Sequence, residues 1–193
     1  MGLGAEFESV LQAARTGAPW ALATLYRELH PAVLRYLRVQ DPGRYEDIGS
    51  EVWVSVATGL NRFEGGEGDF RKWVFTIARR RLLDSRRCER RERERAATQW
   101  LERPPVGNNE EEAMEAMATE AALEAVASLP DEQCEVVLLR VLAGLDVREV
   151  AVLLHKRPGA IRALQHRALR RLARKFSPEP VTGRRSVAMY SKE

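Results

Sequence analysis

The chain has 193 residues, 45% of them hydrophobic and 31% charged, with a formal net charge of +3. That length suits two small domains or one medium one, and no stretch approaches the roughly 20 apolar residues of a membrane helix. Two cysteines, Cys88 and Cys134, and three scattered histidines exclude a disulfide framework and a metal site of recognisable spacing, so neither a metal nor a cofactor is expected.

Period-two alternation is absent and helical periodicity runs through almost every segment, so the expected fold class is all-α. The opening MGLGAEFESVLQAARTG is acidic and lacks the apolar core of a secretory leader, which points to a cytoplasmic protein with no membrane insertion. A first helix is predicted over 5–16, stopping at Gly17. A second starts at Pro19, a favourable first-turn position, and runs to about Gln40, with Pro31 expected to kink or break it. A third is predicted over 45–60, stacking Ile48, Val52, Val56 and Leu60 at four-residue steps. The loop NRFEGGEGD follows. A fourth helix begins near Asp69, continues through ARRRLLDSRRCERRERER, and is expected to bury Phe70, Trp73, Val74 and Ile77. These four helices make an N-terminal domain over 1–95.

Residues 96–122 change character. ERPPVGNNEEEAMEAMATE carries a proline pair, a Gly-Asn-Asn turn and an acidic run, and reads as an acidic linker with any helix confined to its end. A second helical domain is expected over 123–176. Its segment SLPDEQCEVVLLRVLAGL places Pro130 in a first turn, Cys134 on a buried face with Leu138 and Val141, and Gly144 past the helix end. The remainder, 177–193, holds two prolines and no period, and reads as a disordered tail.

Charge is segregated along the chain. Residues 1–69 hold 6 Lys+Arg against 10 Asp+Glu, and 70–95 hold 11 against 4. Residues 96–127 hold 1 against 7, and 146–175 hold 9 against 2. Two basic blocks on separate helices, with an acidic block between them, suit a polyanion gripped at two places.

The second basic block carries a motif. GLDVREVAVLLHKRPGAIRALQHRAL has the spacing of a helix-turn-helix. Asp146 can cap the first helix, and Glu149 can close a reciprocal box with it. Val150, Leu154, Ile161 and Leu164 are the expected buried positions, and Ala151 is small where the helices must approach. The turn residue needs positive φ; it is His155 rather than the usual glycine. Lys156 follows where an apolar residue is usual, and Pro158 starts the second helix. A plain helical hairpin with solvated arginines is the alternative; the apolar spacing, the small residue and the basic second helix together favour DNA binding. Arg157, Arg162, Gln165 and His166 are then the candidates for base edges in the major groove. Arg167, Arg170, Arg171 and Arg174 lie further along and suit phosphates.

In series, LYRELHPAVLRYL, YEDIGSEVWVSVATGLNRF, DFRKWVFTIARRRLLDSRR, LPDEQCEVVLLRVLAGLDVREVA and GAIRALQHRALRRL resemble the extracytoplasmic-function sigma factors, the promoter-specificity subunits of bacterial RNA polymerase. The resemblance covers about residues 5–175. It implies a sigma-2-like domain, a sigma-4-like helix-turn-helix domain that reads the −35 element, and no catalysis of the chain's own. It also implies that the segment Asp47–Val56 docks on the clamp helices of the core polymerase large subunit, through Asp47, Glu51 and Val54. First-turn carboxylates are equally what a helix dipole favours.

The loop 61–69 and the helix after it match the part that opens and reads the −10 element. Asn61, Phe63, Arg71, Lys72, Phe75, Arg79, Arg80 and Arg87 are the candidates there, with Phe75 expected at the surface and Trp73 in the core. Many relatives carry Asn where this chain has Arg80, so the location carries over and the base preference does not. Members are commonly held inactive by an anti-sigma protein, and their linker runs toward the polymerase cleft. Glu110, Glu111, Glu112 and Glu115 would there act as a displaceable polyanion; a solvated hinge fits the same residues.

Two other classes compete. A free-standing helix-turn-helix regulator explains 128–175 and leaves the first 95 residues without a purpose. A nucleic-acid enzyme needs convergent metal-binding carboxylates or an activated nucleophile, whereas the acidic residues here sit in first turns and a linker.

Overall fold

A computed structural model describes residues 3–95 and 113–176. Among the described residues the chain forms eight α-helices and two short 3-10 turns, with no strand. In chain order they are α1 (Phe7–Arg15), α2 (Pro19–Gln40), α3 (Tyr45–Gly59), α4 (Glu67–Arg95), α5 (Ala113–Ala127), α6 (Asp131–Val141), α7 (Val147–Leu153) and α8 (Pro158–Phe176). The predicted first helix divides: Gly4–Glu6 forms a 3-10 turn and α1 continues from Phe7. Gly17, at φ +86°, ends it in a conformation that costs a glycine little.

Pro31 neither starts nor ends α2, which runs unbroken through it. A mid-helix proline removes one backbone hydrogen bond and crowds the carbonyl four residues earlier. Here both Pro31 and Arg27 are exposed, so water can take the freed carbonyl. On the opposite side Leu25, Leu29, Val33, Tyr36 and Leu37 are buried and hold the helix together.

α2, α3 and α4 pack on one another, with α1 laid across α2. The predicted stripe Ile48, Val52, Val56 and Leu60 is buried throughout. In α4 the buried row is Phe70, Val74, Ala78 and Leu82, with Phe75 beside it, while Trp73 and Ile77 are half-buried. The surface position expected for Phe75 is corrected by the structure: its ring is fully buried and meets Tyr36 edge-on, centroids 5.7 Å apart. A helix covered by both α2 and α3 buries a wider arc than a single stripe, and Phe75 falls inside that arc.

The second group comprises α5 to α8, with α8 packed on α5, α6 and α7. Cys134 and Leu138 of α6 are buried, whereas Val141, expected on the same face, is the last residue of the helix and is exposed. Helix α5 begins at Ala113, inside the stretch expected to be linker, and lies against α2 of the first group. Glu110, Glu111 and Glu112 and the tail 177–193 lie outside the described residues. Glu115 falls within α5.

Candidate nucleic-acid interface

The helix-turn-helix is built from its caps inward. Asp146 Oδ1 accepts from the backbone N–H of Glu149 at 2.8 Å and of Arg148 at 2.7 Å, and Glu149 Oε2 accepts from the N–H of Asp146 at 2.6 Å. These donors are among those a helix start leaves without intrahelical partners. The backbone N–H bonds from Glu149 and Arg148 hold the Asp146 carboxyl below its ordinary range. α7 then ends, and His155 takes φ +53°, the one non-glycine residue with positive φ among the described residues. Val150, Ala151, Leu154, Ile161, Leu164 and Ala168 are buried between the helices. Lys156, polar where an apolar residue is usual, is held by Glu132 at 2.6 Å.

Packing α8 by Ile161, Leu164 and Ala168 leaves its other faces outward. Arg157, Arg162, His166, Arg167, Arg170, Arg171 and Arg174 are all exposed, and Gln165 is half-buried. None of these eight is tied to an acidic side chain by an ion pair among the described residues. The helix therefore presents a continuous cationic surface whose first turns carry donors suited to base edges.

The first basic block behaves differently. Arg71, Lys72 and Arg79 face the second group of helices. Lys72 Nζ lies 2.6 Å from Glu149 of α7 and 3.0 Å from Asp69, and the Glu149 carboxylate, followed by Asp69, pushes its pKa up to about 12. Arg79 Nε is 2.9 Å from Glu135 of α6, and Arg71 Nη1 donates to the Leu142 carbonyl at 3.5 Å. Arg80 and Arg87 are exposed and pair only weakly, with Asp84 one turn away at 3.9 and 3.3 Å. Asn61 is exposed in the 3-10 turn Leu60–Arg62.

Phe63 requires a second correction. It is buried rather than free to stack on a base, in contact with Phe70 (5.4 Å, edge-on) and Trp73 (5.2 Å). Its backbone carbonyl accepts from Arg15. Trp73 in turn lies over Gly59, where an added Cβ would come within 2.8 Å of the indole. The loop is thus anchored by its aromatic residue, and the polar groups around it remain outward.

On α3, Asp47, Glu51 and Val54 fall on one exposed face. Val54 keeps 64% of its surface in water, while Val52 and Trp53 point into the core. Glu51 is 4.0 Å from Arg81, which in turn bonds Ser55 Oγ. Behind this face Trp53 Nε1 donates to His30 Nδ1 at 3.1 Å, and Tyr26 stacks on His30 at 4.1 Å. Sequence reasoning did not find this cluster, because its members come from two helices with no shared motif. No group of residues suited to a metal occurs among the described residues.

Comparison with known proteins gives a consistent result. The family description Sigma-70 region 2 matches residues 25–92, and Sigma-70, region 4 matches residues 119–172. The chain is 34% identical over 173 residues to the ECF RNA polymerase sigma factor BldN of Streptomyces coelicolor, across 88% of this chain and 66% of that protein's length. It is 34% identical over 167 residues to the ECF RNA polymerase sigma factor ShbA of Streptomyces griseus, across 81% of this chain and 87% of that one. The fold matches the sigma factor RpoE from Bartonella quintana, solved with the anti-sigma factor NepR, at a TM-score of 0.64 and 19% identity over 81% of this chain and 98% of that one.

Proposed function

The chain belongs to the ECF RNA polymerase sigma factors, and from that membership we propose how its two helical units divide the work. The N-terminal unit docks on core polymerase through the exposed α3 face of Asp47, Glu51 and Val54. An exposed valine one turn beyond two carboxylates suits a partner surface with a small apolar spot and basic neighbours. Residues of the loop and outer α4 face, namely Asn61, Arg71, Lys72, Arg79, Arg80 and Arg87, meet the −10 region, with phosphate neutralisation as their main contribution.

The C-terminal unit places α8 in the major groove of the −35 region. Arg162 and Gln165 read base edges with Arg157 and His166 beside them, and Arg167, Arg170, Arg171 and Arg174 neutralise phosphates. Chemistry stays with the polymerase, in the cytoplasm, and an anti-sigma protein holds this factor in check, as NepR partners RpoE in the solved complex. The observation that carries the reading is the capped, tightly turned motif whose second helix exposes arginines without acidic partners among the described residues.

Transcription in vitro with core polymerase on a library of promoters, using Arg162→Ala and Arg170→Ala, tests it. Arg162→Ala should relax discrimination at one upstream position by about 1–3 kcal/mol. Arg170→Ala should weaken all promoters alike and lower the log–log salt slope by roughly 0.9. Uniform weakening by Arg162→Ala would demote that residue to a phosphate contact.

A further inference from the structure

We propose that the N-terminal segment 3–15 is a brace that positions the loop 61–69 for the −10 element, with Arg15 and Glu67 as its positioning residues. This rests on the assignment of that loop to the −10 region. The segment precedes residues 25–92, the part matched by Sigma-70 region 2. At the far end of the loop, Glu67 accepts from two consecutive backbone amides, Leu3 N–H at 2.7 Å and Gly4 N–H at 2.9 Å. Leu3 is right-handed helical and Gly4 takes φ +55°, an alternation that aims successive amides at one anion. At the near end, Arg15 donates through Nη2 to the Phe63 carbonyl and, more loosely, through Nε to the Leu60 carbonyl at 3.5 Å. One guanidinium thus grips both carbonyls that flank Asn61 and Arg62.

The two grips lie at opposite ends of α1, whose nine residues span about 14 Å. Between them α1 is already fixed by its apolar side. Phe7, Val10, Leu11 and Ala14 are buried, and the Phe7 ring meets Phe70 at 5.7 Å. The polar bonds are therefore additional to what packing requires, and they fall on loop carbonyls and on the residue that opens α4. Asp69 adds a tie inside the loop, accepting from the Gly66 N–H at 3.2 Å, and the chain turns at Gly65 with φ +133°. Leu60, Phe63, Gly66 and Glu67 are held in this way, while Asn61, Arg62 and Glu64 are exposed. A frame that fixes these points and leaves the polar side chains outward sets where they meet an unstacked base, without touching DNA itself.

The test uses the full chain with core polymerase, on promoters that differ only at the −10 element, at a temperature where circular dichroism shows each variant folded. Arg15→Lys keeps the charge but lacks the fork that holds two carbonyls, and Glu67→Ala removes the acceptor for Leu3 and Gly4. Each should lower discrimination between −10 bases about tenfold, with opening followed by 2-aminopurine fluorescence at that element. Glu67→Gln, which keeps one acceptor oxygen, should recover part of the loss. Affinity for core polymerase and discrimination at the −35 element should match the parent chain. Equal weakening of −10, −35 and polymerase contacts would mark a contribution to stability alone and overturn the brace. Unchanged −10 discrimination in Arg15→Lys and Glu67→Ala, with Asn61→Ala still lowering it, would overturn the brace and leave the loop's assignment intact. If Asn61→Ala also changes nothing, the assignment of the loop to the −10 element fails, and the brace with it.

Discussion

Asp146 and Glu149 hold each other's backbone: each side chain accepts from the other's N–H, at 2.6 and 2.8 Å, across the first turn of α7. Glu149 turns its second oxygen to Lys72 of α4, so one residue both starts the helix-turn-helix and touches the other domain. Asp146→Ala should lower the thermal midpoint and weaken upstream promoter contacts together, whereas Asp146→Asn, which keeps the cap and loses only the charge, should preserve the fold with a smaller drop in midpoint. Because the carboxyl is depressed below its ordinary value of 3.8, its contribution is present above that pH and lost as pH falls further. Thermal melts of Asp146→Asn and the parent chain should therefore converge under acid conditions.

At the turn itself, His155 adopts φ +53°. A side chain there costs about 1–2 kcal/mol relative to a relaxed backbone, and glycine escapes most of that cost. His155→Gly should be neutral or stabilising by up to about 1 kcal/mol in urea titration. His155→Val, β-branched and ill suited to this region, should destabilise.

Phe75 belongs to the core. Phe75→Ala should cost about 3–5 kcal/mol of stability by the loss of a large buried ring and the cavity left behind. Tyr36→Phe, which removes a buried hydroxyl that has no partner, should be neutral or stabilising. A surface-stacking role for Phe75 would instead leave the denaturant midpoint unchanged and affect only DNA affinity.

The helix-turn-helix was legible because it is local: the cap, the turn and the buried positions all lie within one short span, and His155 answers a need that its neighbours impose. The stripe of α3 was legible for the same reason. Pro31, Phe75 and Phe63 depart from expectation because their fate depends on which helices cover them, and a single helix's periodicity carries no information about its neighbours. The pairs Lys72–Glu149 and Arg79–Glu135 join residues more than fifty positions apart. No spacing rule reaches that far, so a cation read as free for DNA was already partnered in the fold.

His30 accepts from Trp53 Nε1 through Nδ1, and this requires the neutral ring. Burial lowers its pKa from the ordinary 6.5. The unfolded chain therefore binds the proton more readily, and stability rises with pH through the window below 6.5 and is complete above it. Acidification from neutral should lower the melting temperature and alter Trp53 fluorescence, and His30→Phe should remove most of that slope.

Promoter selection by this protein is measured by run-off transcription from a promoter library with purified core polymerase, with and without the protein. Start-site-specific transcripts are expected only when the protein is present, with initiation lost when Asp47, Glu51 and Val54 are replaced by Arg, Arg and Ala. A core enzyme that neither binds the protein nor changes its choice of start sites would contradict it.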